Sequence, residues 1–312
     1  MTARSPITVA DLEAGASRLA ADPRLGGARP QQRAVLRDLH DLLIAAVPSS
    51  PEPPSVLTHV TAVVERTDPA AADGMQPRAR TVFRLLRAGH PAAAWALVTE
   101  NAVGRVNPPF TGSTATGTRR TARALPVPIR IEAATVYAAL PGFRDPQYDA
   151  PDECYDISAA VRLDASADDA SVDGDIVTLG GSAALTHLPT LASEQLRVVL
   201  VGVDGEVSFP GRRHPRPDLF PGRVQLPVRR DWVGWSAGIA CSVLPASSWR
   251  ICVELAQGRI LRRAPAGISP DGGGIGRAGS TIPVGDTHRV EVDAHGWWLV
   301  TAGAPIVRQV PG

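Results

Sequence analysis

The sequence predicts an α+β chain: a small helical bundle followed by an all-β antiparallel sandwich of immunoglobulin-like or jelly-roll-like type. Three observations predict it. Apolar residues recur at spacings of three and four up to residue 106. From Pro126 they alternate at a spacing of two. A Thr-, Gly-, Pro- and Arg-rich stretch without periodicity separates the two regimes. The expected domains are a helical bundle over 1–106, a linker over 107–125 and a β-sandwich over 126–312, with the linker as the hinge between independently folding parts.

Each helix has a start signal. Thr8 caps the first, which runs to Arg18 in a segment carrying Val9, Leu12 and Leu19 and closed by Gly26-Gly27. Pro30 opens the second, with Val35, Leu36, Leu39, Leu42 and Leu43 on one face. Pro54 opens a third through Arg66, Pro77 a fourth that stops at Gly89, and Pro91 a fifth that stops near Gly104.

The strands follow as short alternating runs. They are expected at 129–139, 155–164, 175–188, 196–203, 206–209, 223–228, 236–244, 249–255, 259–263, 288–292 and 297–301, with Gly, Asp and Pro between them. If 236–244 and 249–255 form a hairpin around Pro245, burial selects the register pairing Ile239 with Val253, Cys241 with Ile251 and Val243 with Trp249. Cys252 then points away from Cys241, and no disulfide forms.

Composition narrows the function classes. The 312 residues carry a net charge of +1, which gives no bulk attraction to nucleic acid. The 32 basic residues are all arginine, a bias expected of GC-rich coding rather than of phosphate binding. The N-terminus lacks the apolar core of a signal peptide, and no apolar run reaches the roughly 20 residues of a membrane span. Three cysteines without metal spacing fit a reducing compartment, so the expected location is cytoplasmic, or peripheral at the inner face of the membrane.

Several motifs take their meaning from the residues around them. Gly234-Trp235-Ser236-Ala237-Gly238 matches the serine-hydrolase elbow, and Ser236, Asp286 and His288 fall in the triad order of that alternative. The context opposes it: Arg229-Arg230-Asp231 precedes the motif where a buried strand is required, and Pro245 stops any following helix. Gly274-Ile275-Gly276-Arg277-Ala278-Gly279 has the dinucleotide-binding spacing but lies among Pro, Asp and Gly, and reads as a loop, so no cofactor is expected. The acidic run 164–175 fails as a calcium hand because Gly180 stands where the bidentate glutamate belongs. Asp169, Asp173 and Asp175 remain a weak metal alternative to a solvated turn. Trp232, Trp235, Trp249, Trp297 and Trp298 all fall in the β region; buried they anchor a core, exposed they stack on sugar rings. Trp297 and Trp298, being adjacent, must face opposite ways if both lie in a strand.

Two segments carry a resemblance. Val177-Thr178-Leu179-Gly180-Gly181-Ser182-Ala183 with Leu196–Val201 looks like an opening strand pair. Trp235–Ile239, Trp249–Leu255 and Arg262-Arg263 are similar to an aromatic strand, a Trp-x-Leu-x-Val strand and a basic hairpin. Both resemble the accessory β-sandwich of actinobacterial cell-wall polymer glycosyltransferases, teichoic-acid-type enzymes of family 2, and Arg78–Val103 resembles their helical segment. The resemblance leaves no counterpart of the nucleotide-sugar domain. It implies a non-catalytic accessory protein of cell-wall glycan biosynthesis that binds a glycan polymer or a glycosyltransferase partner. Trp232, Trp235, Trp298, Arg262 and Arg263 are the candidate carbohydrate contacts. The alternatives are the Ser236 hydrolase and a purely structural module that forms a homo-oligomer.

Overall fold

The computed structural model describes residues 9–46, 56–106, 127–216, 231–245, 247–268, 281–284 and 287–302. The expected linker 107–125, the expected strand 223–228, the loop 274–279 and Asp286 lie outside them. The chain divides into two compact units, Met1–Ala160 and Val161–Gly312.

The first unit contains the five expected helices: α1 (Val9–Ala20), α2 (Arg29–Ala46), α3 (Val56–Glu65), α4 (Pro77–Arg87) and α5 (Pro91–Val106). Two Asp-Pro corners start 3-10 turns at Pro23–Gly26 and Pro69–Gly74. In each the aspartate (Asp22, Asp68) accepts a backbone amide at 2.8 Å, satisfying a donor that a helix start leaves free. Leu36, Leu39, Leu43, Val60, Phe83 and Leu86 are buried at the centre, which realises the spacing of three and four.

The run 129–139 is a hairpin rather than one strand. Strands β1 (Ile129–Glu132) and β2 (Thr135–Ala138) turn at Ala133, whose φ of 54° is left-handed. The expected strand 155–164 is replaced up to Ala160 by 3-10 turns at Asp152–Tyr155 and Ser158–Ala160. The Asp156 carboxylate accepts the Ser158 amide at 2.7 Å, and this local bond competes with sheet pairing. These turns belong with the helices: Arg84 of α4 donates to the carbonyls of Asp156 (2.7 Å) and Glu153 (3.3 Å). The first compact unit thus runs through Ala160 and includes these turns.

The second unit is an antiparallel, sandwich-like sheet. Its strands are β3 (Leu163–Asp173), β4 (Ile176–Leu185), β5 (Gln195–Gly202), β6 (Gly205–His214), β7 (Gly234–Ala240), β8 (Ser248–Gln257), β9 (Ile260–Pro265), β10 (Gly267–Ile268), β11 (Thr281–Val284), β12 (His288–Val292) and β13 (Trp298–Ala302). The order is β10-β3-β4-β7-β6-β5-β8-β13-β12-β11, with β9 also on β8; among the described residues only β10–β3 is parallel. Two strand runs turn the sheet over on itself. Residues 205–210 of β6 pair with β5 and residues 211–214 pair with β7, so the strand changes layer at Pro210-Gly211. The chain likewise passes from β8 to β3 through Pro265-Ala266-Gly267.

Two expectations are corrected here. Of the acidic run 164–175, residues 164–173 belong to strand β3, because Leu163, Ala167 and Ala170 face inward while the carboxylates face out, and the exposed turn is confined to Gly174-Asp175. The hairpin around Pro245 does not exist. β7 pairs with β4 and β6, β8 pairs with β5, β9 and β13, and β7 ends at Ala240 in a 3-10 turn over Cys241–Val243. Cys154, Cys241 and Cys252 are free and buried.

Trp235, Trp249 and Trp298 fill the core. Each indole N–H donates to a carbonyl: Ser166 at 3.1 Å, Pro245 at 3.2 Å and Ala167 at 3.3 Å respectively. The polar end of each ring is therefore satisfied while its apolar body is removed from water.

Candidate functional site

The outward face of β3, β4, β7 and β6 is built from small polar residues. Cross-strand pairing sets Gly267, Ser166, Ser182, Gly234 and His214 in one row, and an isolated bridge from Gly267 to Trp297 continues it. The Ser166 and Ser182 hydroxyls are bonded at 2.9 Å. One pleat further, Gly180, Ser236 and Arg212 form a second row on the same face. The intervening residues face the core: Ala183, Trp235 and Ala237 are buried. The result is a shallow floor with no large side chain on its central positions.

Charged groups lie across that floor. A β-bulge between Ala167 and Asp169 takes Asp168 out of the ladder, which re-aims its side chain. The Asp168 carboxylate accepts from Arg216 Nη1 at 3.1 and 3.4 Å. A Cβ added to Gly234 would collide with the His214 ring and the Arg216 chain, so both lie over that glycine. Trp232 is half-buried just ahead of β7, its amide donating to Thr190 Oγ1 at 3.2 Å. Trp297, also half-buried, rests an indole edge near Gly267.

Beneath the floor, Arg213 and Glu194 form a buried ion pair at 2.7 Å, with side chains 2% and 0% exposed. Arg213 also donates to the carbonyls of Ala183 (2.9 Å) and Val233 (3.3 Å), holding the loop before β5 against the sheet. Burial pushes the Glu194 carboxyl up and weakens the Arg213 cation, against their mutual attraction.

The residues singled out from the sequence divide between core, surface and this face. Trp235 and Trp298 are 0% and 1% exposed and present no ring face to a sugar; Trp297, not Trp298, is the outward member of the adjacent pair. Arg262 donates to the Val161 carbonyl at 2.8 Å. Arg263 is held by Glu206 (2.7 Å) and Glu254 (2.9 Å), away from the floor rows. Ser236 lies in mid-strand, paired on both sides, so Gly234–Gly238 is no strand-to-helix elbow. His288 stands on β12, separated from β7 in the sheet order by β6, β5, β8 and β13. Asp169 and Asp173 are four strand residues apart, about 13 Å, and the Asp175 carboxylate is taken by the Ser242 hydroxyl. Among the described residues no three acidic, His or Cys side chains group as metal ligands.

No protein-family model and no curated sequence matches the chain. Solved structures similar in chain course include two of S. aureus TarS. S. aureus TarS has a TM-score of 0.40 at 9% identity, over 97% of this chain and 50% of that one. Its 217–571 portion has a TM-score of 0.42 at 8% identity, over 97% of this chain and 79% of that one. The chain thus spans half the length of the whole TarS chain. At these scores the likeness assigns neither family nor activity. No helix among the described residues is long and apolar enough to cross a membrane.

Sequence reasoning missed the row of Ser166, Ser182 and His214 beside Gly234, and the Asp168–Arg216 pair. Alternation shows that Gly234 and Ser236 share a face. Nothing in it shows that β4 and β6 flank them. It also missed a cavity of about 230 Å³ in the first unit, walled by Leu36, Val64, Pro69 and Phe83, with Asp73, Arg84 and Arg87 on its polar side.

Proposed function

We propose that this chain is a non-catalytic accessory protein of cell-wall glycan biosynthesis that binds a glycan polymer through its β unit. The observation that supports it is the shallow Ser/Gly floor, with Trp297 half-exposed at one end of its row, the Asp168–Arg216 pair laid across it, and Trp232 half-exposed just ahead of β7. A polymer needs a shallow track rather than a deep pocket. Sugar hydroxyls both donate and accept, which suits serine hydroxyls, a carboxylate and a guanidinium side by side. Indole faces stack on the apolar faces of sugar rings. The cell-wall assignment rests on the resemblance of Val177–Ala183, Trp235–Ile239 and Trp249–Leu255 to accessory sandwiches. A glycosyltransferase partner is the alternative occupant of the same face.

The test is affinity electrophoresis of the full chain in gels containing a purified teichoic-acid-type polymer. Retardation is expected, with loss in Trp232→Ala and in Ser182→Leu, which raises a wall in the floor. A chain that migrates freely, or variants retarded as strongly as the parent, would refute glycan binding at this face.

A further inference from the structure

The second row of the floor carries opposite charges at its two ends. It runs Asp169 on β3, Gly180 on β4, Ser236 on β7 and Arg212 on β6, in cross-strand register. Asp169 and Arg212 are exposed, and neither has a hydrogen-bond or ion-pair partner among the described residues. Three strand spacings, about 14 Å, keep them apart. The first row differs. There Arg216 reaches Asp168 and the two charges cancel, while the His214 ring and the Arg216 chain cover Gly234. Over the second row the space is open. A Cβ built on Gly180 would meet only the Trp235 carbonyl oxygen at 3.6 Å and the Asp169 Cβ at 3.7 Å. On the third row, a Cβ built on Gly238 would meet only Ile176, at 3.6 Å. Other charges keep the same order: Asp164 and Asp173 also stand on β3, and His214 on β6. The result is an open lane with a carboxylate edge and a guanidinium edge.

We infer that this lane selects a zwitterionic glycan segment, with an ammonium group on Asp169 and an anionic group on Arg212. The inference rests on the glycan-binding reading above and names the ligand class for that face. A purely anionic chain crossing the lane sets like charge against Asp169, and a purely cationic one sets it against Arg212. A neutral chain leaves both groups without a partner. Each is disfavoured by repulsion or by an unpaired charge, which is how a surface discriminates between otherwise similar ligands. A chain carrying both charges makes a charge-assisted hydrogen bond at each edge, and the planar guanidinium suits a forked anionic head. Exposed ion pairs contribute modestly one by one, so the two edges together set a preference on the order of tenfold. They also fix the direction in which the chain crosses the strands.

The experiment is thermophoretic titration of the full chain at low ionic strength, at a pH that keeps amino sugars protonated. Four oligosaccharide pools of matched length are used: chitin (neutral), chitosan (cationic), heparosan (anionic) and N-deacetylated heparosan, which alternates ammonium and carboxylate. The last is expected to bind about tenfold more tightly than each of the others. Asp169→Asn is expected to erase its advantage over heparosan, and Arg212→Gln its advantage over chitosan. The charge-exchanged double variant, Asp169→Arg with Arg212→Asp, is expected to recover the preference, because an alternating chain laid in the opposite direction presents its charges in the opposite order. Gly180→Leu raises a wall in the open lane and is expected to abolish binding. The inference is overturned if a neutral or singly charged pool binds as tightly, or if either single substitution leaves the preference intact. Retardation by the teichoic-acid-type polymer without binding of the zwitterionic pool overturns this inference alone; failure of both overturns the glycan-binding reading with it.

Discussion

At the scale of single residues, neighbours in sequence meet opposite environments. Trp298 is buried with its indole N–H on the Ala167 carbonyl, while Trp297 is half-exposed. Trp298→Ala should therefore cost about 3–5 kcal/mol in urea denaturation, as expected for a large core truncation, and Trp297→Ala well under half of that. Glu194→Ala leaves Arg213 charged and buried. A loss of about 3–5 kcal/mol is expected, whereas the paired change Glu194→Leu with Arg213→Met should be near neutral or stabilising. A double-mutant cycle separates the two cases. Cys241 is buried, and desolvation, with Asp175 nearby, pushes its thiol from 9.0 up to about 11. The folded state thus holds the proton more tightly than the unfolded chain. This stabilisation is intact below pH 9 and is lost as the pH rises through about 11. Iodoacetamide at pH 8 should leave the three thiols of the native protein unmodified and alkylate all three after denaturation.

At the scale of elements, alternation made the strands visible and the bulge made one of them misleading. β12 (His288–Val292) falls at the bounds its pattern predicts, and β5 and β8 lie within a residue or two of theirs. β3 was hidden because its inward residues are mostly alanines among carboxylates, and the bulge at Asp168 breaks the period. Small inward residues are required there. Gly181 stands opposite Ala167 on one side and Trp235 on the other, and a Cβ on it would overlap the Ser166 carbonyl oxygen. Backbone cannot yield as a flexible side chain does. Gly181→Ala should lower stability by about 1–3 kcal/mol, whereas Gly238→Ala, whose Cβ would meet only an Ile176 methyl at 3.6 Å, should be nearly silent. Thermal melts of the two variants make the comparison.

At the scale of the molecule, the helices need the segment that follows them. Arg84 of α4 reaches the carbonyls at Glu153 and Asp156, and Tyr155 and Ile157 are buried in the same compact unit. A chain of residues 1–160 should unfold cooperatively, while 1–106 should show helical content without a sharp transition. Circular dichroism melts of both would show it, and equal cooperativity would place the boundary back at the end of α5. The sequence alone determined the α+β class, the five helices and most of the strands, because these follow from local periodicity and from Pro, Gly and Asp at the ends. It also argued against the elbow at Ser236, since Pro245 cuts short any helix after it, and the mid-strand pairing of Ser236 then showed that no elbow forms. Which strands lie side by side was decided only in three dimensions. β7 abandons its sequence neighbour β8 for β4 and β6 because Pro210-Gly211 and Pro265–Gly267 carry the chain between layers. The floor around Ser166, Ser182 and Gly234 is a product of that pairing. Residues far apart in the chain share a face only once the sheet has closed, and no local pattern encodes such neighbours.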